Sequence, residues 1–187
     1  MEAFLYSTLA VTLAEIGDKT QLLSLFLIAR FKRPWPVLWG IIVATLLNHG
    51  VSAWLGHWMA GLLPAHWLPL IVGGSFILLG AWVLIPDKDD GADSRWLGMG
   101  AFTASFVLFF IAEIGDKTQV ATVLLAARFD NLVAVIIGTT LGMVLANAPV
   151  IFGGQWLMQR VSLTWIRGLS AALFMLFGVL ALLHGYR

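Results

Sequence analysis

One eight-residue segment occurs twice in this chain, and its two copies lie 98 residues apart. The first copy, AEIGDKTQ at residues 14–21, returns unchanged at residues 112–119. The agreement continues beyond the segment, so that residues 14–31 and 112–129 are identical at 12 of 18 positions without a gap. The chain is therefore a duplication of one structural unit.

The composition places both units in a membrane. Of the 187 residues, 60% are hydrophobic and 11% are charged, and the mean hydropathy is +0.91, whereas a soluble domain has about 25% charged residues. A membrane span needs about 20 apolar residues. Short polar or Gly/Pro segments divide the chain into six such spans, near residues 3–29, 36–60, 67–85, 97–127, 132–158 and 164–185. A net charge of +1 without a basic run gives no reason to expect a nucleic-acid partner, and the absence of Cys excludes thiolate metal sites.

Three spans in each unit have a geometric consequence. Because three is odd, the second unit enters the membrane from the side opposite to the first, and the two are inverted repeats. The predicted fold class is an all-α polytopic membrane protein with six transmembrane helices in two inverted three-helix repeats. The repeats occupy residues 1–86 and 96–187, and residues 87–95 form an acidic cytoplasmic linker. Many transporters have this architecture, with the substrate site near the bilayer centre, and some channels share it.

The basic residues of the loops predict the orientation of the chain. The side of the membrane that is richer in Lys and Arg is usually cytoplasmic. The far side carries only Arg128 and Arg187. The richer side carries seven basic residues: Arg30, Lys32, Arg33, Lys88, Arg95, Arg160 and Arg167. This count predicts a multi-pass protein with both termini outside.

The repeated segment places ionisable side chains near the bilayer centre. A charge at that depth costs about 2.5–3.5 kcal/mol on insertion scales. The two copies together contain four acids and two lysines: Glu15, Asp18, Glu113, Asp116, Lys19 and Lys117. No packing role requires six such groups, so we interpret them as functional. A buried Glu–Lys pair that fixes helix packing is the structural alternative.

The spacing within the segment predicts which side chains share a face. On a continuous helix, with about 100° per residue, Glu15, Asp18 and Lys19 point the same way. Gln21 lies beside them, while Thr20 points elsewhere.

Glycine within the segment allows the helix to break. Gly17 permits either a close approach or an interruption between the acids. The fourth span, of about 31 residues, would be roughly 46 Å long if it were straight, so we expect it to be tilted or interrupted near Gly115. An interruption would free backbone carbonyls as additional cation ligands.

The acids of the two copies form one site if the copies face each other. Four converging carboxylates suit hard divalent cations such as Ca²⁺, Mg²⁺ and Mn²⁺. Crowded acids also hold protons readily, so that metal and protons compete for the same oxygens, which is the minimal chemistry of antiport. An ammonium group cannot bind a cation, and Lys19 and Lys117 are therefore assigned to charge balance. Gln21 and Gln119 are candidates to support the site.

The second helix of each repeat carries further polar residues. Asn48 and His49 align with Ala146 and Asn147. Asn147 and either Asn48 or His49 are candidates to line the cavity. For His49, a hydrogen-bonded packing role and a proton-coupling role both stay open.

The two complete motifs, Glu15 to Thr20 and Glu113 to Thr118, resemble those of a family of cation–proton exchangers defined by paired E-x-G-D-[KR]-[TS] motifs. That family includes bacterial manganese exporters and Golgi and chloroplast manganese/calcium transporters. The resemblance implies export of Mn²⁺, with Ca²⁺ as the other candidate ion, against protons across the bacterial inner membrane. It also implies that the motif hydroxyls, Thr20 and Thr118, join the acids, which requires an unwound motif.

Two other functions share parts of this pattern. Intramembrane aspartyl proteases use G-x-G-D, but Glu15 replaces the first glycine here and a lysine adjoins each aspartate, so we predict no enzymatic activity. A passive divalent-cation channel would use the same acids without proton coupling. We expect no cofactor, and the sequence does not indicate an oligomeric state.

Overall fold

The computed structural model describes residues 1–64, 66–85, 98–154 and 163–184. Within these ranges the chain is helical and has no β-strand. The eight helices are α1 (Glu2–Glu15), α2 (Lys19–Phe31), α3 (Pro34–Leu62), α4 (Leu68–Val83), α5 (Ala101–Glu113), α6 (Lys117–Arg128), α7 (Leu132–Gly153) and α8 (Leu163–His184). The whole of the predicted linker, residues 87–95, lies outside the described residues.

Both motif-bearing spans are broken in the middle, at equivalent residues. The backbone leaves the helix at Ile16 and at Ile114, where ψ is 115° and 118°. It then passes through Gly17 and Gly115, where φ is +84° and +77°, a region that glycine adopts without strain. The predicted interruption near Gly115 is confirmed. An interruption is present at Gly17 as well, which is one of the two possibilities that the sequence left open, so the predicted 3–29 span consists of two helices, α1 and α2.

The remaining predicted spans correspond to single helices. Three are long and apolar enough to cross a membrane alone: α3, α7 and residues Thr164–Leu183 of α8. The helices α4 and α5 are also apolar, but they are shorter than these three. The helix α7 ends at Gly153. Residues 155–158 of the predicted 132–158 span lie outside the described residues.

The surface and the interior have the polarity of a membrane protein. Many large apolar side chains are exposed, among them Trp35, Leu78 and Trp165, as is typical of a surface that lipid covers. Hydroxyl and charged side chains are buried instead, among them Ser7, Thr45 and both motif glutamates. The chain is therefore a polytopic membrane protein.

Close contacts pair the first part of each broken span with a long helix of the other half. These pairs are α5 with α3, and α1 with α7. Gly40 of α3 lies against Phe102 and Ser105 of α5, and a Cβ there would come 2.6 Å from the Phe102 carbonyl oxygen. Gly138 of α7 lies in the same way against Phe4 and Ser7 of α1, with 2.6 Å to the Phe4 carbonyl oxygen. The two contacts are equivalent, because their residues lie 98 positions apart: Gly40 corresponds to Gly138, Phe102 to Phe4 and Ser105 to Ser7.

The helices α4 and α8 pack on each other through equivalent residues. Phe76 and Phe174, which are 98 positions apart, stack with ring centroids 6.2 Å apart. Gly178 allows this approach, because a Cβ there would meet the Gly73 carbonyl oxygen at 2.6 Å. Small residues of this kind let helix backbones approach closely in membranes. Together with the contacts of Gly40 and Gly138, this packing brings the two broken spans face to face.

Candidate cation site

Three of the four predicted acids meet where the broken spans face each other. Glu15 ends α1, Glu113 ends α5, and Asp116 precedes α6. Each offers one carboxylate oxygen, and these three oxygens all lie within 4.8 Å of one another. All three side chains are buried, at 0%, 0% and 3% exposure. This spacing allows the oxygens to bind a single cation, since ligand bonds to divalent cations are about 2.0–2.6 Å long.

Asp18 occupies the position before α2 that Asp116 occupies before α6. Its side chain is buried, at 7% exposure, but its carboxylate is not part of the group of three. The structure therefore brings Asp116, and not Asp18, together with both glutamates.

The helix breaks turn the motif hydroxyls toward the acids. Thr20 Oγ1 donates to Glu15 Oε2 at 2.5 Å. Thr118 Oγ1 lies 3.1 Å from both Glu113 Oε2 and Asp116 Oδ2. A continuous helix would have pointed Thr20 away, so the orientation derived from the helical wheel is wrong, and the unwinding is its physical cause. The hydroxyls hold the carboxylates in place.

The motif glutamines stabilise the breaks. Gln21 Oε1 accepts a hydrogen bond from the Gly17 amide at 2.7 Å, and Gln119 Oε1 accepts one from the Gly115 amide at 2.6 Å. The helix break frees these amides, and a free amide within a membrane needs a partner because lipid offers none. Gln21 also donates to the Ala146 carbonyl at 2.7 Å, which ties the first break to α7.

The two lysines have different surroundings. Lys19 Nζ lies 3.2 Å from Asp116 Oδ1, across the boundary between the halves, and its side chain is 25% exposed. Lys117 is more deeply buried, at 6%, and its Nζ donates to the Ile85 carbonyl at 2.6 Å. Lys19 therefore balances one of the three clustered acids directly.

The predicted polar residues of α3 and α7 lie next to the breaks. Asn48 Nδ2 donates to the Phe110 carbonyl at 3.1 Å, which fixes α3 to α5. His49 Nε2 lies 3.9 Å from Glu113 Oε2. Asn147 accepts a hydrogen bond from Ser24 Oγ at 2.7 Å and donates to the Met143 carbonyl at 3.1 Å.

Sequence reasoning missed one residue of this network, Ser24. Its hydroxyl is fully buried and orients Asn147. The equivalent position in the second half is Thr122, also fully buried. A hydroxyl side chain occurs seven residues after Gly17 and again seven residues after Gly115. This repetition was the signal by which the sequence could have indicated Ser24.

Two carboxylate oxygens in the group lack a hydrogen-bond partner. They are Glu15 Oε1 and Glu113 Oε1, and both are buried and unpaired among the residues that the structure describes. Nearly all buried polar atoms in proteins are paired, and an unpaired charged oxygen is costly. These atoms are therefore available to a cation or to protons.

Comparison with known proteins agrees with this chemistry. A family model described as "Divalent cation/proton antiporter GDT1" matches residues 3–91 and 101–187, two segments that begin 98 residues apart. A protein of Vibrio cholerae with the printed name "Putative manganese exporter" is 49% identical over 177 residues, which cover 94% of this chain and 88% of that protein.

More distant relatives extend over nearly the whole chain. A GDT1-like protein of Synechocystis sp. is 28% identical over 97% of both chains. GDT1-like protein 5 of Arabidopsis thaliana is 26% identical over 98% of this chain and 96% of its own. No solved structure matches. Both halves of the chain and both acidic motifs fall within the matched family segments, and the chain belongs to the GDT1 family of divalent cation/proton antiporters.

Proposed function

We propose that this protein exports divalent cations, above all Mn²⁺, from the cytoplasm in exchange for protons. Ca²⁺ is the other candidate ion, because both ions take carboxylate oxygens. The proposal includes a place in the bacterial inner membrane. It rests on membership of an antiporter family, which is a family of transporters and not of enzymes, and on the name of the Vibrio cholerae relative.

The observation that carries the proposal is the group of three buried acids with two unpaired oxygens. Glu15 comes from the first half, and Glu113 and Asp116 come from the second. A membrane protein rarely buries charge without a function. Asp18, Thr20 and Thr118 complete the proposed site, with Asp18 contributing when the site rearranges around an ion.

Formal charge accounts for the exchange. With all groups ionised, the four acids and two lysines of the motifs sum to −2. One divalent cation neutralises this charge, and so do two protons on the acids. A site of low dielectric favours such neutral states, because an uncompensated charge there is costly. We therefore propose that the site alternates between a metal-loaded and a doubly protonated state.

Reciprocal packing supports the inverted arrangement of the two halves, residues 1–86 and 96–187. In this arrangement a pseudo-two-fold axis lies in the membrane plane between Phe76 and Phe174, and each broken span counts as one crossing. Rocking of one pair of helices against the rest would then expose the acids to either side in turn.

Metal content of cells tests the proposal. A strain that carries the protein should accumulate less Mn²⁺ under manganese load than the same strain without it. Equal manganese content in the two strains, with the protein present in the membrane, would contradict export. Calcium content measured in parallel decides between the two ions.

A further inference from the structure

A buried histidine at the edge of the acid group has no hydrogen bond of its own. His49 lies near the middle of α3 and is fully buried. Neither Nδ1 nor Nε2 has a hydrogen-bond partner among the described residues. Its Nε2 atom lies 3.9 Å from Glu113 Oε2, too far for a hydrogen bond but directed at the cluster. Packing alone leaves these two nitrogens unexplained.

The equivalent position in the other half is different. Asn147, 98 residues later, is equally buried, but both ends of its amide form hydrogen bonds. It accepts one from Ser24 Oγ at 2.7 Å and donates one to the Met143 carbonyl at 3.1 Å. Thr122, the counterpart of Ser24, donates instead to the Thr118 carbonyl in its own helix, at 2.8 Å. The site is therefore asymmetric: one side presents an amide that is already bonded, and the other presents an imidazole that is not.

We propose, on the basis of the proposed function, that His49 is a direct nitrogen ligand of the transported cation. Two atoms 3.9 Å apart can bind one ion when each bond is about 2.0–2.6 Å long. His49 thus joins Glu113 as a ligand, and the group of three acids becomes a mixed site with nitrogen and oxygen ligands.

A nitrogen ligand determines which ions the site prefers. Ca²⁺ and Mg²⁺ take oxygen ligands, whereas the divalent first-row transition metals also accept a nitrogen ligand, Mn²⁺ binding such sites least tightly among them. Three carboxylates alone do not distinguish Mn²⁺ from Ca²⁺. His49 supplies the distinction, and it makes this chain selective for Mn²⁺ over Ca²⁺.

Electron spin-echo spectroscopy of bound Mn²⁺ tests the ligand directly. Mn²⁺ on the purified wild-type protein should show coupling to a ¹⁴N nucleus, and protein labelled with ¹⁵N only in histidine should show ¹⁵N coupling in its place. The variant His49→Asn should lose the coupling, since it places the residue of the second half at this position. His57→Asn is the matched control, because His57 is exposed on the same helix, and it should keep the coupling.

Transport in vesicles gives the second readout. His49→Asn should lower the preference for Mn²⁺ over Ca²⁺ by about tenfold or more, because loss of a residue that merely supports a metal ligand already costs about that much. His57→Asn should leave the preference unchanged. Mn²⁺ bound to wild-type protein without histidine coupling would overturn the role of His49 and leave the proposed function standing. Failure of the wild-type protein to bind Mn²⁺ at all would overturn both. The wild-type spectrum decides the matter even if His49→Asn does not fold.

Discussion

At the scale of single residues, the proposed function rests on the acids and on the groups that hold them. Glu15, Glu113 and Asp116 converge, Thr20 and Thr118 orient them, and Lys19 balances Asp116. Because each of these contacts joins a carboxylate to a neutral donor or to a cation, the site is held in place but keeps oxygens available for its substrate.

Loss of either glutamate charge should abolish export. Glu15→Gln and Glu113→Gln keep the volume of the side chain but remove one negative charge and one proton site. A buried divalent cation needs the charge, and an exchanger needs an acid that can be reloaded with a proton. Manganese tolerance of strains that carry each variant measures this, with membrane expression checked in parallel. Wild-type tolerance from both variants would remove the acids from the mechanism.

The lysine next to the first motif aspartate should tolerate arginine better than alanine. Lys19→Arg keeps the positive charge near Asp116 but changes its geometry and hydration, so we expect a partial loss of export. Lys19→Ala leaves a buried acid without its partner at 3.2 Å, and breaking such a pair costs about 3–5 kcal/mol when it is fully buried. Partial exposure of Lys19 reduces that cost, but the order of the two variants should hold. The same tolerance assay ranks them, and an alanine variant as active as the arginine variant would contradict the charge-balancing role.

At the scale of elements, the two helix breaks determine where the side chains of the motifs point. Sequence reasoning identified the motifs, the six apolar stretches and the interruption at Gly115, because charge, length and glycine content signal them directly. It left the break at Gly17 open as one of two possibilities, because the 3–29 span is short enough to cross a membrane unbroken. The helical wheel pointed Thr20 away from the acids, and Ser24 was missed, because side-chain direction depends on where the helix stops.

The break itself can be tested without adding a steric clash. Gly115 has φ +77°, and a Cβ built there has no heavy atom within 4 Å. Gly115→Ala should therefore act through backbone strain alone, of about 1–2 kcal/mol, and it should lower both export and the thermal stability of the purified protein.

Gly74→Ala is the matched control for the helix break. Gly74 lies inside α4 with equally open space around it and no positive φ, and alanine there should be neutral or slightly stabilising. Equal effects of the two substitutions would show that the conformation of Gly115 is not required.

At the scale of the whole molecule, the duplication determines the architecture. The contact of Gly40 with α5 and that of Gly138 with α1 are equivalent to each other, and the stacking of Phe76 on Phe174 pairs equivalent residues of the two halves. The 98-residue offset predicts that such pairs exist, but it does not predict which helices meet. That choice depends on where small residues allow close approach.

The membrane orientation of the chain stays a prediction with a direct test. Seven basic residues against two place the 87–95 linker in the cytoplasm and both termini outside. Impermeant labels on single cysteines are suitable, because the chain has no cysteine of its own. Cysteines in the linker should react only after the cell is permeabilised, and cysteines at either terminus should react on intact cells. A cytoplasmic C-terminus would mean either an odd number of spans or a wrong orientation from the charge count, and the inverted repeat would have to be argued again.

The measurement that tests proton coupling most directly is Mn²⁺ flux in vesicles that contain only the purified protein. With equal Mn²⁺ on both sides and an imposed pH gradient, Mn²⁺ should move toward the more acidic compartment and build a gradient of its own, while protons move in the opposite direction. Glu113→Gln should abolish both movements. If Mn²⁺ stays at equal concentration on both sides whatever the pH gradient, but equilibrates rapidly when added to one side, the protein is a channel and the exchange mechanism is contradicted.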